Sequence, residues 1–546
     1  MKKARFVFSL LAVALAAGCL EKPNHSPGTS ATVLYRHHFL GTAHLARSTN
    51  NAKIPAVLAM PATAQLREKT LQKLASAPQQ LWRKFLPVGA VPQPALFRPL
   101  LDDLLAAESY AEARGPLQRG ESVLAIELTE ERATLWRTNL WTILDHWNIG
   151  KPSPFTLAQA KGWDLKKTET HPAIQFLRAG QWALIGIGHE PLTLLPALLE
   201  QINKSGRPVS AQPNVPLELE ADLPRLTDWL PALGKAKLPP LRLTVTGKGE
   251  YLRTEARLLY SEALPWKFEP WKIPTNFVSD PLISFTVGRG IAPLLAQIPD
   301  LSTLGLQQLP NQFCSWGPAT VHADTFCSIP MTNPSNVLYQ VGPKLPDYTS
   351  NLLSQSIGGF ALISNRNELV WQGWPVIVPY VRAVRDHGTD YLLGGLFPLR
   401  SSTNRPPPEL FGQLKDRPNL VYYDWEITQE RLVHAKQLQQ LWDITNHRRL
   451  APTNAPEQKW LAAIGPKLGN TITEVTLASP TELDLVRRSD FGFTGFELAT
   501  LARWIASPGF PWTFDAPPSL TSRKNSAKPS SNAPPVKAPV PNLKKQ

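Results

Sequence analysis

Four residues close together, Cys314, His322, Asp324 and Cys327, carry the side chains that ligate zinc: thiolate, imidazole and carboxylate. Their spacing, Cys-x7-His-x-Asp-x2-Cys, matches no finger or knuckle pattern. A disulfide between Cys314 and Cys327 competes for both thiols wherever the surroundings are oxidising, and this bridge is the expected state of the pair, with two free thiols the alternative. Closing a loop of that size stabilises a fold by roughly 3 kcal/mol in the chain-entropy picture. His37, His38 and His44 make a second cluster. On a helix His37 and His44 share a face, and on a strand His38 and His44 do. No carboxylate stands beside them in the sequence, so they read as surface or structural histidines.

The remaining chemistry is sparse. There is no Gly-x-Ser-x-Gly elbow and no His-Glu-x-x-His pair. Gly247-Lys248-Gly249 and Gly288-Arg289-Gly290 lack the flanking residues of a nucleotide loop, and the first belongs to a hairpin turn. Carboxylate pairs such as Glu218 with Glu220, or Asp102 with Asp103, are too common to signal glycosidase chemistry, which depends on spatial separation. The 17 tryptophans suit sugar stacking in principle. Trp136, Trp147, Trp229, Trp442 and Trp504 fall at buried helical positions, which leaves Trp266, Trp271, Trp371 and Trp374 as platform candidates. No catalytic residue, metal or cofactor is assigned on this reading.

The elements that would position such groups follow from periodicity. Ser122 to Leu128 reads as a half-buried strand, and Thr129 with Glu130 and Glu131 opens a helix whose buried face holds Trp136, Leu140, Ile143 and Leu144. Residues 173–177 and 182–187 form a hairpin about Gly180, followed by a helix over 191–203 and a strand over 217–223. A short helix over 224–233 and a hairpin, 241–246 with 251–260, complete this half. The second half repeats the order. It has a strand at 282–287, a helix start at 291–298, a hairpin at 360–364 with 369–372 and a helix over 375–386. A strand at 420–427, a helix from Thr428, and a hairpin at 471–477 with 482–488 follow. Strand–helix–hairpin–helix thus recurs about four times, two per half. The expected fold class is α+β, as two tandem related domains with mainly antiparallel sheets, over residues 121–264 and 282–510. They meet at the Trp/Pro-rich stretch 265–281, and a mostly helical region, 33–120, precedes them. Its helix over 63–86 carries Leu66 and Leu74 among lysines and arginines, which suits packing on the body or lying on an anionic membrane surface. The body, with its Thr494-Gly495-Phe496-Glu497-Leu498 helix start, resembles uncharacterised bacterial secreted proteins. That likeness implies no active-site residues.

The chain ends carry a different signal. Lys2, Lys3 and Arg5 precede an apolar run from Phe6 to Ala17 of about 18 Å as a helix, too short for a hydrocarbon core of about 30 Å. This is the pattern of an export signal, residues 1–18. The run ends Leu15-Ala16-Ala17-Gly18-Cys19, which resembles the lipobox of bacterial lipoprotein precursors. The resemblance implies lipidation of Cys19 and cleavage before it. It implies membrane attachment through that lipid in the cell envelope, and an outer-membrane site facing the periplasm, because Leu20 and Glu21 lack the retaining Asp. Residues 19–32 are then a flexible tether. Cleavage after Ala16 or Ala17 by an ordinary signal peptidase is the alternative.

The formal net charge is +14, of which the leader holds +3 and the segment from Asp515 onward +5. The +6 left on the body is ordinary for its size, so nucleic acid is not an expected partner. Residues 515–546 are rich in proline and lysine and poor in apolar side chains, the composition of a disordered tail. Such a tail suits contact with anionic cell-wall polymer or lipopolysaccharide, and no protein partner is indicated. The functional expectation is a non-enzymatic envelope scaffold, binding or assembly factor. The alternative is an envelope hydrolase or carbohydrate-active protein with an unrecognised site at the domain junction.

Overall fold

A computed structural model describes residues 33–50, 53–82, 93–115, 120–147, 149–168, 171–189, 191–210, 212–226, 238–296, 309–319, 324–344, 361–365, 367–372, 377–399, 404–445 and 450–511. The expected leader, Cys19, the tether and the basic tail lie outside these residues, as do His322, Trp229 and Trp374.

The first ten strands are β1 (Val33–Phe39), β2 (Ser109–Arg114), β3 (Glu121–Glu127), β4 (Ser153–Leu157), β5 (Ala160–Leu165), β6 (Ala173–Ala179), β7 (Trp182–Gly188), β8 (Leu217–Ala221), β9 (Leu241–Gly247) and β10 (Leu252–Leu259). The second ten are β11 (Leu282–Arg289), β12 (Gln312–Pro318), β13 (Phe326–Pro330), β14 (Ala361–Ser364), β15 (Glu368–Gln372), β16 (Tyr380–Asp386), β17 (Thr389–Gly395), β18 (Leu420–Ile427), β19 (Asn470–Ser479) and β20 (Glu482–Ser489). Between β1 and β2 lie α1 (Thr42–Leu45), α2 (Ile54–Leu58), α3 (Pro61–Trp82) and α4 (Pro94–Ala106). Next come α5 (Glu130–His146), α6 (Leu194–Ser205), α7 (Leu223–Leu226), α8 (Ala292–Leu295), α9 (Pro334–Val341) and α10 (Pro408–Gly412). The last are α11 (Thr428–Thr445), α12 (Pro456–Ile464) and α13 (Gly495–Ala506).

The fold is mixed α+β, with all 20 strands in one sheet whose pairings are antiparallel. The first ten run side by side as 4-5-6-7-3-2-1-8-9-10. The second ten run as 14-15-16-17-13-12-11-18-19-20. β10 and β20 join them along their whole length, from Leu252 opposite Ser489 to Leu259 opposite Glu482.

Strand alternation divides the core. On β3, Leu124 and Ile126 face a core built with Trp136, Ile143 and Leu144 of α5 and Phe97 and Leu100 of α4. Val123 and Ala125 face the other side, where α6 brings Leu195, Leu198 and Leu199. In the second half one face is covered by α11, α12 and α13, whose apolar sides meet one another through Leu432, Trp460, Leu461 and Leu498. The opposite face holds Phe285, Val287, Trp316 and Tyr423 beneath Trp271, Phe277 and α10. Helix α3 serves both halves: Leu71 and Ala75 pack with α4, whereas Leu66 packs with Trp460 and Leu461. Lys69 reaches buried Glu457 at 2.6 Å, and Lys73 donates to the carbonyls of Ile505 and Ser507 at the end of α13. The cationic helix therefore packs on the body. Among the described residues no helix is long and apolar enough to cross a membrane.

Several expected elements appear as read. The hairpins β6–β7, β9–β10, β14–β15 and β19–β20 are present, and Thr129 caps α5 by accepting from the Arg132 backbone N–H at 3.3 Å. Thr494 and Glu497 form a reciprocal capping box on α13. The helix expected over 375–386 is a correction: Tyr380–Asp386 is a strand between β15 and β17. His387 and Gly388 both take positive φ, 44° and 78°, the two-residue turn that reverses a hairpin. That turn, with Tyr, Val, Ala and Val in the preceding residues, overrides the helical spacing.

Candidate binding cleft

β18 carries two different chemistries on its two faces. Its sequence, Leu-Val-Tyr-Tyr-Asp-Trp-Glu-Ile, is aromatic and β-branched, which suits a pleated, enclosed strand. Alternation sends Tyr423 and Trp425 to one face and Tyr422, Asp424 and Glu426 to the other.

The Trp425 face is the floor of a cleft of about 700 Å³. Three registered strands supply it: Trp425 stands opposite Ile472, and Ile472 opposite Arg488. The neighbouring row is Tyr423, Glu474 and Val486. Glu409, Leu410 and Gln413 from the α10 segment form one wall, and Asp280 to Leu282 form another. Arg417 closes a third side and donates to Glu474 at 2.6 Å. Its position is set by Arg289, which donates to the carbonyls of Leu420 at 2.7 Å and Arg417 at 3.0 Å. The Arg289 guanidinium lies 4.4 Å from the Trp271 ring centre, so the stretch 265–281 is held to this half as a strap. Tyr423 is buried; desolvation, with the Glu474 charge beside it, pushes its hydroxyl up to about 12.

Behind the same strand, under α11 and α13, two carboxylates are enclosed: Glu426 is 2 % exposed and Asp424 8 %. Thr286 donates to Asp424 at 2.6 Å, and the Gly495 backbone N–H, at the start of α13, donates to Glu426 at 2.8 Å. Arg487 makes a two-pronged contact with Glu497, at 2.7 and 2.9 Å, and donates to Thr473 at 3.0 Å. Burial, reinforced by the Asp424 charge, raises Glu426 to about 7. Burial also raises Asp424, against the pull of its Thr286 hydrogen bond. Gly495 is required here, because a Cβ on it would lie 2.4 Å from the Leu432 backbone nitrogen.

The residues singled out by sequence are scattered. Cys314 and Cys327 are free thiols, so the expected bridge is not formed. Cys314 lies opposite Ser328, and Ser315 opposite Cys327, which puts the two sulfurs on opposite faces of β12–β13. Cys314 is buried, which pushes its thiol well up, whereas Cys327 is exposed. Asp324 is buried, and among the described residues no three His, Cys, Asp or Glu side chains are grouped to hold a metal. His37 and His38 are both buried on β1, and burial, with His38 beside it, lowers His37 to about 4. His44 lies apart on α1, near the Pro213 carbonyl at 3.4 Å. No carboxylate neighbours His38 in the sequence, but β2 begins beside Glu108, which meets it at 2.9 Å and also takes Arg207 at 2.9 Å. Glu220 pairs with Arg36 and Arg242, Asp103 with Arg132, and Asp102 with Arg98. Trp136 and Trp147 are buried, while Trp266, Trp271, Trp371, Trp442 and Trp504 are half-buried. The tryptophan that lines the cleft, Trp425, was missed. Its place in an alternating aromatic strand was the available signal.

Comparison with known proteins finds no matching family model, no matching curated protein and no matching solved structure.

Proposed function

We propose that this chain is an exported lipoprotein of the cell envelope that acts by binding, with the cleft over Trp425 as its ligand site. One observation carries the reading. The carboxylates whose proton affinity is raised, Asp424 and Glu426, face away from the cleft and are enclosed under helices, while Glu474 within it is engaged by Arg417 at 2.6 Å. Acid–base catalysis needs a carboxyl free to meet substrate, and neither of these buried groups opens onto the cleft. The cleft instead offers an indole, guanidinium groups and apolar walls, which suit recognition.

On this reading Cys19 holds the lipid, the protein sits on the outer membrane facing the periplasm, and the basic tail over 515–546 contacts anionic cell-wall polymer or lipopolysaccharide. The two ten-strand halves are related domains, a reading supported by their matching strand orders. An envelope hydrolase is the second reading, favoured by Asp280, Glu409 and Glu474 sharing a cleft with Trp425.

Capture of ligand from envelope extract by the whole protein should weaken in Trp425→Ala while secondary structure is kept; undiminished capture sinks the cleft reading. Turnover of ester, peptide or glycoside substrates that disappears in Glu409→Gln would favour the hydrolase. Metabolic labelling with a lipid probe should vanish in Cys19→Ala, and persistent label would remove the anchor.

A further inference from the structure

At the edge of the cleft two guanidinium groups are unequally matched. Arg253 stands directly opposite Arg488 on β10 and β20, on the same face as Trp425. Like charges directly opposite each other disfavour a sheet pair. Arg253 has a carboxylate, Glu255, at 2.7 Å. Arg488 is exposed at the cleft mouth and forms no ion pair among the described residues. The row Trp425, Ile472, Arg488 spans two strand spacings, about 9.5 Å. A flat, half-buried indole lies at one end of that row and a planar cation at the other. Between them is an apolar side chain that cannot satisfy a polar group. Asp280 and Glu409, on the walls, are acceptors suited to hydroxyl groups.

We infer that the cleft takes an acidic saccharide, with its ring on Trp425, its carboxylate or phosphate on Arg488, and its hydroxyls toward Asp280 and Glu409. The inference rests on the cleft-binding reading above and narrows it to one ligand class. A guanidinium matches a carboxylate or phosphate with two parallel N–H donors, which an ammonium cannot do. A neutral sugar would leave Arg488 without a counter-charge, and a simple anion would leave the indole uncovered.

The test uses the whole purified protein and calorimetric titration with three probes: a galacturonic acid oligomer, a hexose phosphate and a neutral glucose oligomer. At least one acidic probe should bind, with affinity falling as salt rises, and the neutral oligomer should bind at least about tenfold more weakly. Whether the carboxylate or the phosphate probe binds identifies the anion. Arg488→Gln should weaken the acidic probe by about tenfold or more, with Arg488→Lys recovering only part. Glu482→Gln, on the same sheet but outside the cleft, should bind as wild type, and circular dichroism should be unchanged throughout. Equal binding of acidic and neutral probes, or an Arg488→Gln variant that is folded and binds undiminished, overturns the inference. So does failure of both acidic probes. If extract capture still depends on Trp425 in any of these cases, the binding reading stands and only the ligand class falls.

Discussion

β8 and β18 occupy the same position in their respective halves, each between the half's first strand and its ninth. Their alternation is nevertheless opposite in phase. On β8 the carboxylates Glu218 and Glu220 point to the face where Arg36 and Arg242 wait, and Leu217 and Leu219 point to the other. On β18 the carboxylates take the helix-covered face together with Tyr422, and Tyr423 and Trp425 take the open one. The faces correspond, because one row of registered residues runs from Leu219 through Leu243, Ala256, Leu485 and Val475 to Tyr422. A shift of polarity by one residue is enough to turn a solvated ion-pair lattice into an aromatic cleft floor. It also encloses two carboxylates that would otherwise be solvated. Strand order alone therefore does not fix which face is wet.

The largest effect that sharpens the contrast belongs to the first half, whose helix layer is apolar. Trp136→Ala should cost about 3–5 kcal/mol in urea unfolding, because an indole with no exposure is removed from a close-packed core. A loss under about 1 kcal/mol would mean that this core is no firmer than the second one.

Next comes pH. Glu426 titrates at about 7 when folded, above its unfolded 4.5, so the folded state binds the extra proton between those values. Its contribution is fully present below pH 4.5 and is lost as pH rises through 7, by about 3 kcal/mol in all. Asp424 shifts in the same direction. Glu426→Gln should flatten that fall in a series of melts across pH, and an unaltered slope would place the titrating group elsewhere.

Arg487→Met takes from Glu497 its two-pronged partner and from Asp424 one of two nearby guanidinium charges, the other being Arg431. With Glu497 43 % exposed, solvent screening keeps the expected loss to about 1–2 kcal/mol by denaturant midpoint. The smallest change is Arg242→Ala beside Glu220, both partly exposed, at within about 0.5 kcal/mol. A larger loss there would make the ion-pair lattice structural and weaken the contrast.

Much of this fold was legible because its hairpins announce themselves. Gly180 between two apolar runs, and Pro480 between Thr471–Leu477 and Glu482–Arg488, are turn chemistry that can be read from the residues alone. Ala158 and Gln159 both adopt positive φ between β4 and β5, and neither residue type announces that, so this hairpin went unread. β1 and β2 were hidden differently. Residues 40–108 separate them, and only the folded sheet sets His37 opposite Ala111. The cleft was illegible for the same reason, since Trp425, Ile472 and Arg488 meet through strand register. The cysteine pairing failed on parity: Ser315, one place after Cys314, is the residue opposite Cys327.

Helix α3 has a consequence in the time domain. Lys69 and Glu457 are 388 residues apart in sequence, and Leu66 seats against Trp460. A ribosome adding about 5–20 residues per second reaches that seat some tens of seconds after the helix itself has emerged. Throughout that interval Leu66 lacks its partners, and β10 likewise waits for β20, a strand more than 200 residues further on. Non-local pairing of this extent makes folding slow and the half-made chain sticky. A fragment ending before residue 456 should therefore aggregate rather than fold, which sedimentation of the expressed fragment would check.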